Sequence, residues 1–131
     1  MYQKNLRNYI KYIILTFVIL ISNNIYAGIG GDFTLKDQYN NDFTLSDSSK
    51  VKIIFFGFLN CPDICPTTLT EVANLLKKLE GLSKNIEPIF ITVDPTRDTP
   101  ELLKNYLSFF DERIIGLTGT QEEIEKVSNQ Y

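Results

Sequence analysis

The stretch "KIIFFGFLNCPDICPTTLTEVANLLKKL", residues 52–79, changes its hydrophobic period part-way along. From Lys52 to Leu59 it is apolar on both alternating faces, as a parallel strand covered by helices on both sides must be. That pattern predicts a central strand. From Pro66 onward, Leu69, Val72, Ala73, Leu76 and Leu79 recur at the i, i+3, i+4, i+7 spacing of an amphipathic helix, which stops near Gly81. Cys61 and Cys65, the two cysteines of the chain, are thereby set in the turn that joins strand to helix.

Working outward from that turn, the same alternation returns. A second apolar strand over Ile89 to Val93 ends at "DPTRDTP", where Thr99 caps a helix that begins at Pro100 and buries Leu103, Tyr106, Leu107 and Phe110. Ile114 to Leu117 reads as a third strand, and "TQEE", residues 120–123, is a capping box for a helix that buries Ile124 and Val127. Upstream, "DFTLKDQYNNDFTLSD" repeats Phe-Thr-Leu about a turn-rich centre and predicts a hairpin, placed as a lid on the domain edge. Alternating strands and helices imply an α/β domain with a mostly parallel sheet and right-handed crossovers.

The first 27 residues read differently. Lys4, Arg7 and Lys11 precede an apolar run from Tyr12 to Ile21, followed by polar Ser22 to Asn24 and small Ala27 and Gly28. This is the layout of an export signal, and the run is shorter than the roughly 20 residues of a spanning helix. Ile25 makes a poor cleavage position, so residues 1–27 are expected to be a signal peptide or a membrane anchor, with 28–131 as the exported domain. All 16 acidic residues but only 10 of the 13 basic ones follow residue 27, which leaves that domain near −6 and argues against a nucleic-acid partner.

Three uses suit a cysteine pair in such a turn: a structural disulfide, a thiol nucleophile, or a soft-metal site. A disulfide closing the five residues 61–65 would remove only about 2 kcal/mol of unfolded-state entropy, and Pro62 and Pro66 hinder ring closure. A thiol before a helix, by contrast, feels the positive end of the helix dipole, which favours the thiolate that both attacks and ligates. Zinc wants four ligands, and the chain has no histidine and no further cysteine. Cu(I), which accepts two or three soft ligands, matches better.

"GFLNCPDICPTTLTEV", "IFITVDPTRDTPELLKNYLSFF" and "IIGLTGTQEEI" together resemble the Sco/SenC family of thioredoxin-like copper proteins that help assemble the copper A centre of cytochrome c oxidase. The resemblance spans roughly residues 28–131. It implies a thioredoxin-like fold in which Cys61 and Cys65 are copper ligands, for Cu(I) with Cu(II) as a second state, and also cycle between dithiol and disulfide. It implies Asp94 as a residue flanking the site, the copper A subunit of the oxidase and another periplasmic copper donor as partners, and a periplasmic location, soluble or tethered to the inner membrane. Two departures accompany it. The family's third copper ligand is a histidine, absent here, and family members continue into further strands and a last helix, so a truncated domain is expected. The third strand is accordingly expected to have an unpaired edge and uncovered apolar side chains.

The reading is therefore an exported metallochaperone rather than an enzyme in the strict sense. A periplasmic thiol-disulfide oxidoreductase using the same pair, and an inactive truncated remnant, are the alternatives. Asp94, Arg97 and Asp98 are placed to tune the cysteines, since the ends of parallel strands converge on one sheet edge, although ordinary turn chemistry accounts for them equally. Phe55, Phe56 and Phe58, and likewise Phe109 and Phe110, are expected in the core. Gly57 is expected to allow close approach of a helix.

Overall fold

A computed structural model describes residues 30–131; the expected leader, residues 1–27, lies outside the described residues. Thr34–Asp37 (β1) and Asp42–Thr44 (β2) form the hairpin. Val51–Gly57 (β3) leads into Ile64–Lys78 (α1), Ile86–Thr92 (β4) into Pro100–Ser108 (α2), and Ile115–Thr118 (β5) into Gln121–Ser128 (α3). Among the described residues, no helix is long and apolar enough to cross a membrane.

The five strands form one sheet in the order β2-β1-β5-β4-β3. β3, β4 and β5 are parallel, with Ile54 opposite Ile89 and Ile91 opposite Leu117, while β1 runs antiparallel to both β2 and β5. This order corrects three expectations. β3 is not central: it stands outermost among the described strands, and β4, whose Ile89, Phe90 and Ile91 are fully buried, takes the inner place. An apolar run on both faces reports that the faces are covered, and says nothing about the strand's edges. Phe55 packs on Phe90 at 5.4 Å on one face and Phe56 lies 6.2 Å from Tyr131 on the other.

The hairpin is not a lid, and the third strand is not left open. β1 pairs with β5, putting Lys36 opposite Thr118 and Asp37 opposite Leu117. Just beyond, the buried side chain of Gln38 continues the ladder, its Oε1 accepting from Gly116 N–H at 2.8 Å and its Nε2 donating to the Ile114 carbonyl at 3.2 Å. The expectation of an open edge looked for partners among strands that follow β5 in the chain, whereas the strand that pairs with it precedes β3.

Two apolar layers sandwich the sheet. Phe33, Leu35, Ile89, Ile91 and Leu117 pack with Ile124 and Val127 of α3 on one face. Phe90 and Ile114 pack with Leu69, Val72 and Leu76 of α1 and Leu103 and Leu107 of α2 on the other. The helical spacings thus hold, and so do the caps: Thr99 Oγ1 accepts from Leu102 N–H, and Thr120 and Glu123 form the reciprocal capping box. α1 begins two residues before Pro66 and ends by a left-handed residue at Glu80, φ 37°, rather than at Gly81. Phe109 departs from its expected burial, being 84% exposed, because the α2 face that packs on the sheet carries Leu103 and Leu107 and the neighbouring position points away.

Candidate functional site

β3 ends at Gly57 and α1 begins at Ile64, so residues 58–63 form a short turn at the carboxyl ends of the parallel strands. Gly57 carbonyl accepts Val93 N–H at 2.8 Å, joining the exits of β3 and β4, and Cys61 N–H closes the turn onto the Phe58 carbonyl at 3.2 Å. Gly57 is where a side chain would not fit. An added Cβ would stand 2.9 Å from Cys65 Sγ and 2.8 Å from the Phe90 ring, so the glycine lets α1 bring its sulfur onto the strand.

The two cysteines are brought together as free thiols, Cys61 partly exposed and Cys65 buried at 7%. Asp63, at the head of α1, makes no side-chain cap. Cys61 takes that part instead: hydrogen bonds from the Asp63 amide first, and from the Cys65 and Ile64 amides and the Cys65 thiol, hold its thiol below the usual cysteine value. Burial pushes Cys65 the other way, aided by the nearby Cys61 and Asp98 charges and opposed by a hydrogen bond from the Phe58 amide. The part-exposed sulfur thus gives up its proton more readily than the buried one.

Of the acidic residues in "DPTRDTP", Asp94 turns into its own loop. Its carboxylate takes Thr96 Oγ1 at 3.0 Å and forms an ion pair with Arg97, which holds it below the usual carboxylate range. Asp98 is the one whose charge adds to the raised Cys65 thiol; it is 3% exposed, with Oδ2 accepting from Leu59 N–H at 3.0 Å and Thr92 Oγ1 at 2.6 Å. Tyr106 was read from sequence only as core. Burial raises its phenol, the Cys65 and Cys61 charges add to the shift, and its side chain lines a groove with Leu59 and Asn60 of the cysteine turn. From sequence, Asp98 is among the residues able to tune the cysteines but is not separated from Asp94, because a buried acceptor and a surface turn residue look alike in a "DPTRDTP" segment; Tyr106 carries no such signal.

An open groove of about 310 Å³, lined by Leu59, Asn60, Leu102, Asn105, Tyr106 and Phe109, adjoins the turn. A larger groove of about 520 Å³ runs between the hairpin and the starts of α2 and α3 and contains neither cysteine; its Thr120 and Glu123 are engaged in the capping box. Among the described residues, no three or more His, Cys, Asp or Glu gather as a metal cluster. The donor set is two sulfurs. That set fits Cu(I), which is satisfied by two soft ligands, and does not fit zinc.

Comparison with known proteins gives a consistent result. Residues 23–131 match the family model described as SCO1/SenC. The chain is 45% identical over 113 residues to a SCO2-like protein of Rickettsia felis, a match covering 82% of this chain and 55% of that relative. The structure of Bradyrhizobium japonicum ScoI with copper bound superposes with a TM-score of 0.76 at 46% identity, covering 79% of this chain and 67% of that one. BsSco, described with a disulfide switch and as a member of the Sco family of cytochrome c oxidase assembly proteins, gives a TM-score of 0.65 at 30% identity, covering 76% and 61%. The sheet with its flanking helices is thus the thioredoxin-like fold of those structures in part, and the chain spans about half the length of the curated relatives it matches.

Proposed function

The chain belongs to the SCO1/SenC family, and on that footing we propose that it is a copper chaperone whose Cys61 and Cys65 hold Cu(I) and pass it, by exchange between thiolates, toward the copper A centre of cytochrome c oxidase. The observation that carries this is the sulfur pair itself: free, adjacent, and offered at a helix start where amide donors stabilise thiolate. Copper is the cargo here. Exchange between thiolates lets the sulfur of an acceptor replace one of the two cysteines at the metal without free copper being released. We further propose that the domain is exported and works in the periplasm, soluble or tethered, in keeping with the basic residues and apolar run of the leader.

Cu(I) stoichiometry of the reduced full chain, measured by competition with a calibrated chelator, tests the proposal. One copper per chain is expected, lost in Cys61→Ser and in Cys65→Ser. Binding that survives both substitutions would overturn it.

A second reading rests on the opposite displacement of the two thiols. A part-exposed thiol with a lowered pKa beside a buried thiol with a raised one also suits a disulfide reductase, in which Cys61 attacks a partner disulfide and Cys65 then releases the mixed disulfide. Cys65→Ser should trap that mixed disulfide, and a Cys65→Ser chain that captures no disulfide-bonded protein removes this reading.

A further inference from the structure

Asp98 is a buried carboxylate that, among the described residues, forms no ion pair. A buried carboxylate is kept where its oxygens are used, because removing it leaves buried donors without a partner. Its hydrogen bonds show where that use lies. Oδ2 accepts from Leu59 N–H in the cysteine turn and from Thr92 Oγ1 at the end of β4. Thr92 Oγ1 in turn accepts Asp94 N–H at 3.0 Å, and the backbone carbonyl of Asp98 accepts Thr118 Oγ1 at the end of β5 at 3.3 Å. One residue thus ties together the exits of three parallel strands.

The cysteine turn depends on this tie. The Phe58 carbonyl receives Cys61 N–H at 3.2 Å, and the neighbouring Leu59 amide is held by Asp98 Oδ2 at 3.0 Å. Releasing it would free the turn two residues before Cys61 and let the exposed sulfur drift from its partner. Charge-assisted bonds of this type are stronger than neutral ones, which suits a carboxylate at this position.

We propose that Asp98 is a positioning residue for the thiol pair, fixing the Leu59 amide so that Cys61 stays within reach of Cys65. The inference rests on the reading of that pair as the working site. It predicts that the hydrogen-bond acceptor matters more than the charge. Asp98→Asn retains an oxygen that can take both donors, whereas Asp98→Ala retains none.

Two constants should be measured on the full chain and its variants. The first is Cu(I) dissociation by chelator competition. The second is the metal-free equilibrium with glutathione disulfide, in which two protein thiols give up two electrons and two protons to form the Cys61–Cys65 bond while one glutathione disulfide becomes two glutathione thiols. In Asp98→Ala, copper should dissociate about 10- to 100-fold more readily, as is usual when a partner outside the ligand sphere is lost, and the protein disulfide should become less favoured. Asp98→Asn should restore both constants to near the wild-type values. A folded Asp98→Ala chain with both constants unchanged, or an Asp98→Asn chain as impaired as Asp98→Ala, would overturn the proposal. Should Asp98→Ala not fold, hydrogen exchange of the wild-type chain decides: protection of the Leu59 amide comparable to β3 supports the tie, and exchange at the free-loop rate overturns it. A wild-type chain that binds no copper would defeat the copper reading alone, since the glutathione constant still reports the tie.

Discussion

At the scale of single residues, the site consists of two chemically identical thiols made unlike by their surroundings. Cys61 lies against the unsatisfied amides at the head of α1, which stabilise its anion; Cys65 lies on Gly57 and Phe90 at 7% exposure, where burial favours the neutral thiol. The linkage to stability runs with opposite signs. For Cys65, whose folded value is raised, the contribution is full below the free-cysteine value of about 8.5 and is lost as pH climbs through the folded value. For Cys61, whose folded value is lowered, it is present above about 8.5 and is lost as pH falls through the folded value. Timed iodoacetamide labelling of the reduced chain across pH, read by mass spectrometry, should therefore mark Cys61 first, with a rate midpoint at lower pH than that of Cys65. Equal rates with a common midpoint, or Cys65 reacting first, would contradict the assignment.

At the scale of elements, local chemistry and tertiary context divide the work. The starts of α2 and α3 are local events: Thr99 before Pro100, and the Thr120–Glu123 box with Thr120 N–H donating to Glu123 Oε2 at 2.7 Å, need only residues that are neighbours in the chain. They were legible in sequence for that reason, as was the placement of Cys61 and Cys65 in a strand-to-helix turn. Thr120→Ala removes the side-chain half of the box and should cost about 1 kcal/mol, seen as a lower urea midpoint with an unchanged slope. An unchanged midpoint would mean that packing of Ile124 and Val127 alone fixes α3. What sequence did not disclose depends on distant residues. The outer position of β3, the left-handed stop at Glu80, the outward turn of Phe109 and the tie from Asp98 to Leu59, 39 residues earlier, are all settled by what packs beside them.

At the scale of the whole molecule, the question is whether the hairpin belongs to the domain or rides on its edge. β1 stands between β2 and β5, and Leu35, 2% exposed, enters the same apolar layer as Ile89, Leu117 and Ile124. β4 shares its side chains between that layer and the one beneath α1 and α2, with Ile89 and Ile91 on one face and Phe90 on the other. A loss in the hairpin layer should consequently reach the cysteine-bearing helix through β4. Leu35→Ala should lower the unfolding free energy by about 2–5 kcal/mol, the usual cost of truncating a fully packed leucine. Helical circular dichroism and tyrosine fluorescence should then shift together, because a lost hairpin leaves β5 without its antiparallel partner and α3 without part of its seat. A detachable lid behaves otherwise: the fluorescence of Tyr39 would change early while the helical signal kept its wild-type midpoint. Coincident transitions would show that the hairpin supports the thiol site from the opposite end of the sheet. Separate transitions would mean instead that β3, β4 and β5 with their helices hold the site unaided.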